Sequence, residues 1–193
     1  MNHFFAYVFR MRHILRWSLM RNADNENLSE HTAEVAMLAH ALALIRRDIL
    51  GVPCDPERVA TLALYHDAPE TMTGDLPTPV KYANPRIRRA YGEIEAAARE
   101  RLLSMLPEAL RPAYAPLLDS DSDPYHDLVK AADRLAALIK CKNELKHGNE
   151  EFRRAYENTH ALLKGMDMPE VEYFMREFMP SFALNLHDMN DEG

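Results

Sequence analysis

Four residues of this 193-residue chain, two histidines and two aspartates, have side chains of the type that can ligate a metal ion and fall where helices should be burying apolar groups. In "EHTAEVAMLAHALALI", His31 opens a stripe with Val35, Leu38, Leu42 and Ile45, at spacings of 4, 3, 4 and 3. That spacing puts all five on one helical face, with the imidazole at its N-terminal end. Val59, Leu62, Ala63, His66 and Glu70 form a second stripe, with Asp67 beside it. In "LVKAADRLAALI", Asp133 falls among Val129, Ala132, Ala136 and Ala137. A buried carboxylate without a partner is costly, so it normally has a counter-charge or a metal. Two histidines and two carboxylates from three helices can satisfy one another around one divalent cation, since transition metals accept imidazole nitrogen and carboxylate oxygen alike. With a coordination position left open for water, such a set supports hydrolysis.

Each residue alone has a plainer reading. A lone inward histidine is usually a hydrogen-bonded core residue. Asp133 can pair structurally with Arg134, Lys130 or an N-terminal arginine. The His-Asp dipeptide also recurs at 126–127 and 187–188. What separates 66–67 is context. His126-Asp127 follows Asp123-Pro124, in a first helical turn where acidic residues suit the helix dipole. His187-Asp188 lies in the polar ending "HDMNDEG", expected to be frayed or exposed. Only 66–67 is followed by an acidic residue three positions on and then by the proline-braced "GDLPTPVKY".

The elements that must position these groups are all helical. Asp55-Pro56, Asn84-Pro85 and Asp123-Pro124 each pair a capping side chain with proline at a helix start. Asn27 or Ser29 caps another, and Gly165 followed by Pro169 separates the last two. The spacing predicts helices over about 3–17, 29–49, 56–71, 85–105, 108–118, 124–147, 150–164 and 169–187, with Pro180 kinking the last. Gly74, Pro77 and Pro79 forbid a regular helix over 72–83, which is predicted to be a stiff loop. No stretch alternates with the period of a strand. The prediction is an all-α, compact helical bundle, one domain over 1–193 with its site core at about 28–140.

Composition narrows the function. Hydrophobic residues make up 47% of the chain, which marks it as globular. A net charge of −7 disfavours a nucleic-acid binder, which would show a basic face. Two cysteines, Cys54 and Cys141, build neither a disulfide framework nor a cysteine-rich zinc site and point to a reducing cytoplasm. Cys141 reads as a packed thiol. No apolar run approaches the ~20 residues that span a bilayer. The N-terminus lacks the pattern of a signal peptide, since Arg10, Arg12 and Arg16 interrupt its apolar run.

A His on one helix, His-Asp on the next and Asp on a later one resembles the HD-domain phosphohydrolases. Five segments carry the likeness further: "RWSLMRN", "NLSEHTAEVAMLAHAL", "LYHDAPETMTGDLPTPVKY", "VKAADRLAALIKC" and "EYFMREFMPSF". Together they resemble the bacterial 5'-deoxynucleotidase branch, over most of the chain. The likeness implies an HD-type fold and one divalent transition metal, Co2+ foremost with Mn2+, Zn2+ or Cu2+ as substitutes. Its ligands would be His31, His66, Asp67 and Asp133. His126 is the only histidine between Asp67 and Asp133, which keeps the count at one metal.

The activity implied is release of the 5'-phosphate from deoxyribonucleoside monophosphates. Arg16 would neutralise the phosphate, and Trp17 would limit room near the 2' position. Asp75 would bind a sugar hydroxyl, and Leu76, Pro77 and Thr78 would complete that pocket. His31, Asp67 and Asp133 would also border the substrate. Glu70, with Arg16 and Asp67, would act in catalysis, Glu70 handling a proton of the attacking water. Read without the likeness, Arg16-Trp17 is a solvated charge beside a core aromatic at a helix end. Asp75 is then a turn residue beside Gly74, and Glu70 a surface carboxylate or a partner to a histidine. Lys81, Lys130 and Arg21 are secondary candidates for anion steering. The expected partners are a small nucleotide and a second copy of the chain, with neither nucleic acid nor membrane. Two other readings stand beside this one. One is an HD-domain hydrolase of a dNTP, a cyclic dinucleotide or guanosine tetraphosphate. The other is a non-catalytic helical protein that senses nucleotides.

Overall fold

The computed structural model describes residues 1–81 and 84–191, and among them it is all-α. The helices are α1 (Phe4–Val8), α2 (Leu28–Leu44), α3 (Pro56–Tyr65), α4 (Glu70–Thr73), α5 (Thr78–Lys81), α6 (Pro85–Ser104), α7 (Arg111–Leu118), α8 (His126–Lys146), α9 (Arg153–Lys164), α10 (Pro169–Glu177) and α11 (Leu186–Asp191). The predicted caps explain several starts. Asn27 Oδ1 accepts from the amides of Ser29 and Glu30, while Glu30 Oε2 accepts from the amide of Asn27, closing a capping box on α2. Asp55 caps α3 through the Arg58 amide, and Asn84 caps α6 through the Ile87 amide. Asp123 is the exception. Its carboxylate accepts from the Tyr125 amide and from Arg58, and α8 begins only at His126.

Helix α2 packs between α3 and α8, and this trio forms the main core. Val35, Leu42, Leu62, Leu135 and Leu138 have no exposed surface there. The predicted α2 stripe is buried throughout, from His31 to Ile45. A smaller cluster of Phe4, Ala68, Leu102, Met105, Leu106 and Leu118 ties the N-terminal helix to α6. No helix among the described residues is long and apolar enough to cross a membrane.

Several predicted helices are shorter than expected. The first was expected over 3–17 but ends at Val8, continues as a 3-10 turn over Phe9–His13, and opens into extended chain at Ile14. There, backbone pairing across the chain replaces helical hydrogen bonding. Arg16 N–H donates to Glu26 O at 3.0 Å and Leu28 N–H to Ile14 O at 2.9 Å, in an isolated antiparallel bridge of Leu15 with Asn27. Arg16 and Trp17 therefore sit on a loop and not at a helix end. The third helix stops at Tyr65 because Pro69 has no amide to donate to the Tyr65 carbonyl. The Ala68 amide takes that carbonyl instead, at 3.1 Å, and tight turns carry the chain to α4. The end of α2 widens into a π-helical turn over Ile45–Ile49. The last predicted helix breaks at Phe178, before Pro180, into a 3-10 turn over Met179–Ala183 and then α11.

The loop expected over 72–83 is interrupted by the last turn of α4 and by α5. Its last two residues, 82 and 83, lie outside the described residues. Gly74, at φ +75°, makes the turn between the two short helices, a conformation that other residues reach only with strain. Tyr91 on α6 donates to Gly74 O at 3.3 Å, and Lys81 bonds Glu95 at 2.7 Å, so both ends of the stretch are fastened to α6.

Candidate metal centre and anion site

His66, at the C-terminal end of α3, turns Nδ1 onto the Ala63 carbonyl at 2.7 Å. The carbonyl accepts, so Nδ1 carries the proton of the neutral ring and the Nε2 lone pair faces the site. That Nε2 is buried and has no hydrogen-bond partner. His31, wholly buried in the first turn of α2, places Nε2 3.0 Å from Asp133 Oδ1 on α8. His31, His66 and Asp133 offer ligand atoms that all lie within 4.8 Å of one another. Asp67 touches the same point, with Oδ2 3.1 Å from His66 Nε2 and 3.7 Å from His31 Nε2. The four residues predicted as ligands thus come together where α2, α3 and α8 meet. A bare, buried imidazole nitrogen beside two carboxylates fits a divalent transition ion. The side chain of Asp133 is 39% exposed, so the cluster opens to solvent on that side.

Arg16 reaches into the cluster from the N-terminal loop, its guanidinium 3.5 Å from Asp67 and 4.0 Å from Asp133. The plainer reading of Asp133, a pair with an N-terminal arginine, is therefore also true; the two readings share one place. Arg16 is not the solvated charge of its plainer reading, since its side chain is only 13% exposed. Trp17 is half-buried, adopts φ +56°, packs on Phe152 and donates its indole N–H to Glu26 Oε2 at 2.9 Å.

The charges are mutually dependent. Burial and Arg16 lower the proton affinity of His31, but the carboxylates of Asp133 and Glu26 outweigh them and raise its pKa to about 9. Burial opposes ionisation of Asp67, yet His66, His31 and Arg16 hold it well below the usual carboxylate range. Asp133 is lowered in the same way, chiefly by His31. A metal ion would displace the imidazole protons that these carboxylates now attract.

Glu70, the first residue of α4, is buried, with Oε2 lacking any hydrogen-bond partner. Burial, then the charges of Asp67 and Asp75, raise its pKa far above the carboxylate range. It is thus no surface carboxylate. Asp75 is half-buried and interacts electrostatically with Arg16, Asp67 and His31, and burial raises its pKa too. Leu76 and Pro77 are half-buried on the same stretch; the side chain of Thr78 lies outside the described residues.

Of the secondary cations, Lys81 is paired with Glu95, lies over the Tyr91 ring and interacts electrostatically with Glu70. Lys130 lines a groove with Arg46 and Arg134, and Arg21 is exposed. Of the other two His-Asp pairs, His126 contacts Asp121 at 3.3 Å and His187-Asp188 is exposed on α11. The sequence reading missed Glu26, on which His31, Trp17 and Arg16 all converge. It lies in the polar run "NADNEN", which has no periodicity to mark an inward residue, and only the bridge between 15 and 27 turns it in.

The fold matches solved structures. An HD-domain phosphohydrolase from Listeria innocua superposes with a TM-score of 0.82 at 24% identity, covering 97% of this chain and 92% of that one. The cyanophage S-2L HD phosphohydrolase, solved with dA and one catalytic Zn2+ ion, gives a TM-score of 0.58 at 23% identity over 92% of this chain and 95% of that one. The fold is thus that of the HD-domain phosphohydrolases.

Closer relatives are found by sequence. A 5'-deoxynucleotidase of Vibrio parahaemolyticus is 50% identical over 191 residues, 98% of each chain. The Escherichia coli 5'-deoxynucleotidase YfbR is 48% identical over 194 residues, covering all of this chain and 98% of the relative. The model of the YfbR-like 5'-deoxynucleotidases matches residues 3–182, and the chain belongs to that family of phosphoric monoester hydrolases.

Proposed function

We propose that this protein hydrolyses deoxyribonucleoside 5'-monophosphates to deoxynucleoside and phosphate, using one divalent transition ion held by His31, His66, Asp67 and Asp133. Co2+ is the first choice of ion, with Mn2+, Zn2+ or Cu2+ as substitutes. The observation that carries the reading is the meeting of His31, His66 and Asp133 within 4.8 Å beside a buried arginine. When bound, the ion withdraws charge from a phosphate oxygen and acidifies water.

The residues divide the remaining work. Arg16 presents a guanidinium, whose parallel donors match phosphate oxygens. Water attacks phosphorus, the bond to the 5'-oxygen breaks, and the proton lost by the water is passed to the 5'-oxygen, so the deoxynucleoside leaves as its alcohol. Asp67 and Asp133 orient the water. Glu70 handles a proton of the attacking water, and the cation that the site would hold favours the ionised form that burial beside Asp67 and Asp75 disfavours. Asp75, with Leu76, Pro77 and Thr78, binds the sugar. Trp17 narrows the space at the 2' position through its backbone and loop, while its ring rests on Phe152. The reading takes 1–193 as one domain, acting in the cytoplasm as a homodimer.

Phosphate release from dAMP, AMP and dATP, with and without EDTA, tests it. Release from dAMP that chelation abolishes is expected, with AMP and dATP poor. Equal hydrolysis of AMP would refute the 2' discrimination, and release from dATP alone would move the substrate to a triphosphate.

A further inference from the structure

The chemistry above leaves one buried carboxylate beside the site unused. Glu26 is 8% exposed, and three residues of the site converge on it. His31 Nδ1 lies 3.0 Å from Oε1, Trp17 Nε1 donates to Oε2 at 2.9 Å, and Arg16 Nε is 3.5 Å from Oε1. We infer that Glu26 is a positioning residue that fixes the ring orientation of His31 and, through the same carboxylate, the placement of Arg16 and Trp17. The inference rests on the metal-site reading above. It adds that the metal centre and the anion-facing arginine are assembled as one unit.

The reasoning starts from what a ligating histidine needs. With Nε2 given to a metal, the proton stays on Nδ1 and needs an acceptor that also sets the ring plane. The two histidines of this site meet that need differently. His66 uses the Ala63 carbonyl, part of the helix that carries it. His31 Nδ1 instead faces the Glu26 carboxylate at ion-pair distance, 3.0 Å, and that side chain arrives from outside α2. The bridge at Leu15 and Asn27 brings it there, and the bridge also places Arg16 beside Glu26. A carboxylate has two acceptor oxygens to share among the imidazole, the indole and the guanidinium. An amide has one. Glu26→Gln therefore preserves shape but leaves an NH2 group facing a donor, on either the His31 or the Trp17 side.

The test uses the full chain stripped of metal, as wild type and as Glu26→Gln, titrated with Zn2+ in competition with a chelator and without nucleotide. Emission of Trp17, the single tryptophan of the chain, is followed in the same titration. Wild type should bind Zn2+ with a change in emission. Glu26→Gln should bind at least ~10-fold more weakly, the lower end of what partners of metal-bound histidines contribute, and its emission change should shrink. Equal affinity in the two proteins overturns the inference. Weaker binding with an unaltered emission change overturns the coupling to Trp17. A wild type that binds no divalent ion refutes the metal-site reading itself, a result distinct from both.

Should Glu26→Gln fail to fold by circular dichroism, the zinc-loaded wild type decides by NMR. A slowly exchanging, downfield Nδ1 proton on His31 supports the inference. A proton there in free exchange with water overturns it.

Discussion

His66 shows how little separates a core histidine from a ligand. Its Nδ1 is taken by a carbonyl 2.7 Å away, which is ordinary for a buried ring. Its Nε2 is also buried, makes no well-aligned hydrogen bond and faces the Asp67 carboxylate 3.1 Å away, which is not ordinary. Glu70 is the second such group, with a buried Oε2 and no partner. In Glu70→Gln the side chain keeps its volume but can no longer accept a proton, so kcat should fall by about 10²–10⁴-fold. Steady-state kinetics beside calorimetric titration of metal and nucleotide check this; near-normal turnover would remove Glu70 from the mechanism. Helical spacing made His31, His66, Asp67 and Asp133 visible, because a polar residue in an apolar stripe is conspicuous. Glu26 has no stripe to break. Nothing in its neighbours along the chain foretells three donors arriving from elsewhere.

At the scale of elements, the decisive piece is the loop over 14–27, which carries Arg16, Trp17 and Glu26. It is held down by α8. Glu144 is 1% exposed and accepts from the amides of Ala23 at 2.8 Å and Asp24 at 3.2 Å. Lys140 and Asn149 bond the same carboxylate, and they also bond the carbonyls of Asp24 and Arg21, respectively. Glu144→Ala strands two loop amides and a lysine, and should cost about 3 kcal/mol at pH 7 by urea denaturation. Freed from the clamp, Arg16 should bind phosphate less well, raising KM more than it lowers kcat.

The same carboxylate sets an acid limit on stability. Burial opposes its ionisation, but Lys140, the Ala23 amide and Asn149 outweigh it and bring its pKa to about 2, against 4.5 ordinarily. The folded state thus holds its proton less tightly than the unfolded state does. The stabilisation is complete above pH 4.5 and drains away as pH falls from 4.5 towards 2. Glu144→Gln should flatten that part of a stability–pH curve; an unchanged slope would mean that the clamp is not the source. The capping residues Asn27, Asp55 and Asn84 were readable because caps act within one turn. The early end of the first helix was not, since its cause is a bridge to residues 26–28.

For the whole molecule, the site lies where α2, the end of α3 and α8 meet, so an ion held by His31, His66, Asp67 and Asp133 would cross-link three parts of the chain. Binding to the folded state alone stabilises by about 4 kcal/mol at a thousandfold excess over Kd. For a chain of this length that is a rise in Tm of about 10 °C. Thermal melts with EDTA and with added Co2+ measure it, and coincident melts would argue against a site on the folded protein. The sequence by itself determined the helical class, most caps and the four residues that converge, because periodicity and capping are local and a polar residue on an apolar face is anomalous wherever the helix packs. Only the tertiary structure decided which groups complete the site. Arg16 and Glu144 acquire their roles from contacts 51 to 121 residues away along the chain, Glu26 acquires its role from the bridge that turns it inward, and spacing carries no record of either.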